Sequence, residues 1–144
     1  MSAWVFGKLP AHGDFVARGM AAVERVALDD WLSAALLAAR DVYGADFEER
    51  FDVAQPWRAE GNGVTGALAP SQDSAGRRYP VLLLSSDAED AEDLLYAAIT
   101  EGWSADRLAK EAGTAPARPV ARWFGHAAER AGERPADLLT AMLA

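Results

Sequence analysis

The run Tyr79-Pro80-Val81-Leu82-Leu83-Leu84-Ser85 decides the fold class. Its four central residues are apolar without alternation, so a strand here must be covered on both faces. Such a strand lies inside a sheet, and the rest of the chain has to supply a layer on each side. Working outward, the apolar periods provide those layers. From Val23 to Tyr43, the positions Leu28, Trp31, Leu32, Ala35, Leu36, Ala39, Val42 and Tyr43 follow the i, i+3, i+4, i+7 rule, and Gly44 stands at the C-cap position. Trp31 is mid-stripe and is expected inside the core. Asp87 to Trp103 has the same period through Ala91, Leu94, Leu95, Ala98 and Ile99. Its acids, Asp87, Glu89, Asp90, Glu92 and Asp93, crowd the first turns, where the helix dipole favours negative charge.

A shorter helix from Ala105 to Ala112 takes Ser104 as its N-cap, and Pro116 to Pro119 breaks it. Further strands are read at Ala3–Lys8, at Pro56–Glu60 and Val64–Ala69 joined through Gly61-Asn62-Gly63, and at Val120–Phe124. The stretch His126–Glu133 reads as helical and charged, and Arg134-Pro135-Ala136-Asp137 opens a terminal helix holding Leu138, Leu139, Met142 and Leu143. The sum is an α/β (α+β) fold: one domain over residues 1–144 with a mixed or antiparallel central sheet of about five strands flanked by helices.

Composition narrows the function. The chain has 144 residues, a net charge of −8 and no cysteine. One domain of this size buries a real core, although alanine inflates the apolar fraction. The negative field opposes nucleic acid and anionic membrane as partners. Without thiols there are no disulfides, thiolate nucleophiles or thiolate metal sites, which fits a reduced, cytoplasmic setting. No signal segment or membrane span is read, so no direct membrane insertion is expected. Neither metal nor cofactor is called for.

Chemistry-bearing residues gather in Gly7–Gly19 (GKLPAHGDFVARG) and Pro70–Arg78 (PSQDSAGRR). Gly7-Lys8 lacks the preceding glycine and following hydroxyl of a phosphate loop, and Gly7 and Gly13 are too far apart for a dinucleotide fingerprint. His12 with Asp14, or Ser71 with Asp73, would supply the parts of a small hydrolase, but no G-x-S-x-G elbow surrounds Ser71. The other reading is structural: Ser71 and Asp73 bond their own backbone, and Gly76 takes positive φ before the next strand.

Gly7-Lys8-Leu9-Pro10, Gly13-Asp14-Phe15-Val16 and Arg18 together resemble the amino-terminal signature of the TagF (ImpM) proteins of bacterial type VI secretion. Trp31-Leu32, Pro56-Trp57-Arg58 and the block Gly66 to Pro80 are similar to that family's later segments, in the same order. Arg122-Trp123-Phe124 and Pro135 to Leu143 match its tryptophan strand and final helix more loosely. Ala67, His12 and the stretch His126–Glu133, where the family has a glycine-rich hairpin, depart from the pattern. The resemblance implies a small, longin-like α/β domain without enzymatic activity. It further implies a post-translational repressor of secretion that holds a forkhead-associated scaffold protein.

Both readings point to one surface. If the strands before the two loops are neighbours, Lys8, Pro10, Gly13, Asp14 and Arg18 meet Ser71, Asp73, Gly76, Arg77 and Arg78 at one sheet end. Asp14 is then expected to accept a bidentate bond from Arg77. Arg58, Arg77 and Arg78, with Lys8 and Arg18 nearby, would form a basic rim on an acidic protein, with Arg78 the more exposed of the adjacent pair. A regulator, a hydrolase and an accessory subunit without a switching role remain as functions for that surface.

Overall fold

The computed structural model describes residues 1–144. Strands β1 (Trp4–Gly7) and β2 (Val16–Arg18) are followed by the long helix α1 (Ala22–Tyr43), a short 3-10 turn and α2 (Phe47–Val53). Then come β3 (Trp57–Gly61), β4 (Val64–Ala69), β5 (Val81–Ser85), α3 (Ala91–Glu101) and α4 (Ala105–Ala112). The chain closes with β6 (Arg122–Phe124), β7 (Glu129–Ala131) and α5 (Leu138–Met142). All seven strands form one antiparallel sheet in the order β2-β1-β5-β4-β3-β6-β7.

The unalternating run occupies an interior position, as its composition requires. Val81 to Ser85 is buried throughout, with β1 on one side and β4 on the other. Leu82 and Leu84 enter a core of 21 buried residues beneath α1, α2 and α5, while Val81 and Leu83 enter a second core of 16 beneath α3 and α4. Period two in the strand thus divides one apolar run between two layers.

Several expectations change. The sheet has seven strands where about five were expected; β2 and β7 are three-residue edges, too short to carry an apolar alternation. The stretch 126–133 is half of a β6–β7 hairpin and not a helix, with Trp123 opposite Arg130 and Gly132 at φ +103°. Glu129 and Arg130 charge that edge, a common protection against further strand pairing. Helix α2 leaves no legible period in the sequence, because Phe47 and Phe51 are its only two buried residues. Helix α3 begins at Ala91 rather than Asp87, because the Ser85 hydroxyl accepts the N–H groups of Asp87 and Ala88 and holds them in a turn.

Trp31 is only partly buried. Its indole N–H donates to the Pro135 carbonyl at 2.9 Å, and its ring lies 5.9 Å from that of Trp123. The fully buried anchors of α1 are Leu32 and Ala39.

One helix therefore offers an internal comparison. Leu32 is fully buried and Leu37 is 69% exposed. Leu32→Ala should cost about 2–5 kcal/mol and Leu37→Ala less than about 0.5 kcal/mol in chemical denaturation. Equal costs would show that α1 docks on a different face.

Candidate functional site

The end of the sheet where β1 and β5 meet is built around a glycine. Gly7 has φ +129°, and a Cβ there would fall 2.0 Å from the Pro80 carbonyl oxygen. Only glycine lets the two backbones approach, and the Lys8 N–H then donates to that same carbonyl. The segments leaving β1 and entering β5 are thereby brought side by side.

The loop before β5 closes on itself. Asp73 N–H donates to the Arg77 carbonyl, Tyr79 N–H to the Ser71 carbonyl and Gly76 N–H to the Asp73 carbonyl, with Gly76 at φ +81° as its turn demands. Two further bonds join the loops: Ser74 N–H to the His12 carbonyl at 2.8 Å, and Arg77 Nη2 to the Gly13 carbonyl at 2.7 Å.

Asp73 is the hub. Its side chain is fully buried. Oδ1 accepts the backbone N–H groups of Ala75 and Arg77, while Oδ2 accepts Arg77 Nε at 2.7 Å and lies 3.4 Å from Lys8 Nζ. Burial by itself raises the carboxyl pKa. The Arg77 and Ala75 amides and the Arg77 and Lys8 side chains outweigh it and hold the pKa at about 2. Lys8 is itself buried, and its ammonium sits 4.8 Å from the centre of the Phe15 ring. Phe15 meets Tyr79 edge-on at 4.7 Å and stacks on Phe6 at 6.4 Å. Burial pushes the Tyr79 hydroxyl up to about 12, opposed by its hydrogen bond with Ser33 and reinforced by the charge of Asp29.

The expected residues therefore divide. Lys8, Gly13, Asp73, Gly76 and Arg77 come together; Pro10 and Ser71 flank them across a small surface hollow. Asp14 does not bond Arg77: its Oδ1 accepts the N–H of the next residue, Phe15, at 2.7 Å. Arg77 is drawn instead to Asp73, four residues back on its own loop and already buried. The basic rim is likewise absent as a field. Arg78 makes a bidentate bond to Asp52 and a further bond to Glu48, both on α2, and is only 26% exposed. Arg18 bonds Asp106 on α4, and Arg58 bonds Glu60 and stacks over Phe124. Arg18 and Arg78 found carboxylates that linear sequence does not place beside them, while Arg58 pairs with its strand neighbour Glu60.

Of the hydrolase parts, His12, Asp14 and Asp73 hold backbone groups. His12 Nε2 accepts the Ala105 N–H at 3.0 Å, so the ring serves the start of α4, where Ser104 accepts Arg107 N–H. Ser71 Oγ is buried and meets no partner, so of the two side chains expected to bond their own loop backbone only Asp73 does so. Sequence reasoning undervalued Phe15 and Tyr79; their aromatic character beside Lys8 was the available signal.

A family model described as the TagF N-terminal domain, type VI secretion system-associated, matches residues 4–120. The chain belongs to that family and is a type VI secretion-associated protein. No curated protein matches it. Among solved structures it is similar to the crystal structure of PA0076 from Pseudomonas aeruginosa PAO1, with 25% identity, a TM-score of 0.67 and coverage of 99% of this chain and 77% of that one. The likeness thus extends through the β6–β7 hairpin and α5, beyond the family match. No helix is long and apolar enough to cross a membrane.

The depressed pKa of Asp73 gives a pH signature. A folded pKa below the ordinary 3.8 means that the ionised carboxylate favours the folded state. That contribution is complete above about pH 4 and is lost as pH falls toward about 2. Thermal melts of wild type should therefore fall more steeply through this window than those of Asp73→Asn; parallel curves would remove Asp73 from the hub.

Proposed function

We infer that this domain is a non-catalytic regulator that represses type VI secretion after translation by binding a forkhead-associated scaffold protein, and that the β1–β2 and β4–β5 loops form its working face. One observation carries the choice of face. Phe15 is 47% exposed yet clamped between the Tyr79 ring and the Lys8 ammonium, on loops whose polar groups are bonded inward. A rigid, half-exposed aromatic loses little freedom on binding and is the kind of group that anchors an interface. Around it, Ala11, Asp14, Ser74 and Ala75 are exposed and small or polar.

Membership of a secretion-associated family supports the biological setting. The engagement of His12, Asp14 and Asp73 in holding backbone groups supports a binding role over hydrolysis. Arg78 is a poor probe of this face, since reversing its charge would set it against Asp52 and Glu48 and disturb α2.

Ala75→Arg changes only an exposed loop side chain. It should leave the melting temperature within a degree or two, weaken capture of the scaffold about tenfold or more, and release secretion from repression. Leu37→Arg, an exposed position on α1, should likewise preserve the melting temperature but neither weaken capture nor release secretion. A folded Ala75→Arg protein that binds and represses like wild type would move the working face elsewhere; one that binds normally but fails to repress would separate holding from switching.

A further inference from the structure

A second site lies at the opposite end of the same sheet. After α4 the chain crosses the sheet as a strap from Gly113 to Ala121. Its backbone is fixed by Ala3 N–H donating to the Gly113 carbonyl, Ala115 N–H to that of Met1, Ala117 N–H to that of Gly63 and Ala121 N–H to that of Glu60. Beneath the strap, between α1 and the sheet, is a pocket of about 210 Å³ that opens to solvent. Its walls are Leu28, Leu82, Leu84 and Val120, with Trp4, Trp31 and Trp123 completing them.

The wall chemistry is shaped by what two of the three indoles, those of Trp31 and Trp123, have already done with their polar atoms. Trp31 Nε1 donates to the Pro135 carbonyl at 2.9 Å and Trp123 Nε1 to that of Glu133 at 3.2 Å. Both rings offer the pocket carbon. Three charged residues reach the lining: Arg118, Glu133 and Arg134. Glu133 pairs with Arg134 at 3.2 Å. Arg118 makes no hydrogen bond, ion pair or aromatic contact; the same holds only for Arg25, which is exposed on α1 and does not line the pocket. Arg40, Arg50 and Arg107 lie over aromatic rings, and the arginines at 18, 58, 77, 78, 122, 130 and 134 have carboxylate partners. On a chain of net charge −8, an arginine left unpaired at the mouth of an aromatic pocket is complementary to one kind of guest.

We propose that this pocket binds a free small arylalkyl carboxylate, its ring between the tryptophans and its carboxylate on Arg118. The volume suits a single ring with a short chain, since a cavity of ~150 Å³ already accepts benzene. The assignment rests on the pocket alone and stands or falls separately from the scaffold reading. The strap carries Arg118 and links α4 to β6, so an occupied pocket would hold those elements together.

The test is a titration of 15N-labelled protein with 3-phenylpropionate, 3-phenylpropanol and 3-phenylpropylamine, read at the indole N–H signals. The five tryptophans serve as internal reporters. Trp4, Trp31 and Trp123 should shift saturably with the carboxylate, while Trp57 and Trp103, which lie outside the pocket, stay still. The carboxylate should bind about tenfold tighter than the amine, with the alcohol between them. Arg118→Glu should abolish the preference and leave alcohol binding intact; Lys110→Glu, the same charge change on α4, should not. Shifts spread over all five indoles, or equal affinity for acid and amine in wild type, would overturn the proposal. Tighter binding of a hexapeptide ending in phenylalanine than of 3-phenylpropionate would overturn the small-molecule assignment and give the pocket to a protein terminus.

Discussion

A buried carboxylate with its acceptor positions occupied governs the shape of this domain's loop end. Asp73 is fully buried, and such a group is tolerated only when hydrogen bonds and opposite charge replace the water it lost. Two amides, one guanidinium and one ammonium do so here. Each donor is fixed in turn: Arg77 reaches on to the Gly13 carbonyl, and Lys8 is held against Phe15. The chain of contacts therefore runs from one carboxylate through two loops to one surface ring.

That arrangement reinterprets the basic residues. Counting arginines along the chain suggests a positive rim, but ion pairs to α2, α4 and neighbouring strand positions cancel most of it locally. Arg78 has the firmest partner: its bidentate bond holds the Asp52 carboxyl below the usual carboxylate range. Such pairs orient α2 against the loop, and they leave shape and aromatic surface, not net charge, as what the corner offers a partner. Arg118 stands apart from this pattern, at the far end of the sheet.

Legibility in the sequence followed the length of the repeating signal. The 22 residues of α1 and the run through β5 announce themselves, because many positions repeat one period. Three-residue β2 and β7 contribute hydrogen bonds at sheet edges and bury a single residue between them, Val16, so they leave no pattern. The meeting of the two loops was legible from the strands that precede them, and Gly76 from its turn chemistry. Which carboxylate Arg77 would choose was not: Asp14 and Asp73 are equivalent on paper, and only folding buries one of them. The strap pocket was hidden for the same reason, since Trp4, Trp31 and Trp123 belong to three separate elements and read individually as core.

The central claim is that the two loops form one preorganised face for a protein partner. Amide hydrogen exchange of the domain, alone and in the presence of excess forkhead-associated scaffold, the partner proposed above, tests it most directly. The account predicts that Asp73, Ser74, Ala75 and Arg77 are already slow in the free protein. On binding, new protection should concentrate in residues 11–15 and 72–77. Fast exchange of those amides in the free domain, or new protection confined to α1 or to the strap at 113–121, would contradict it.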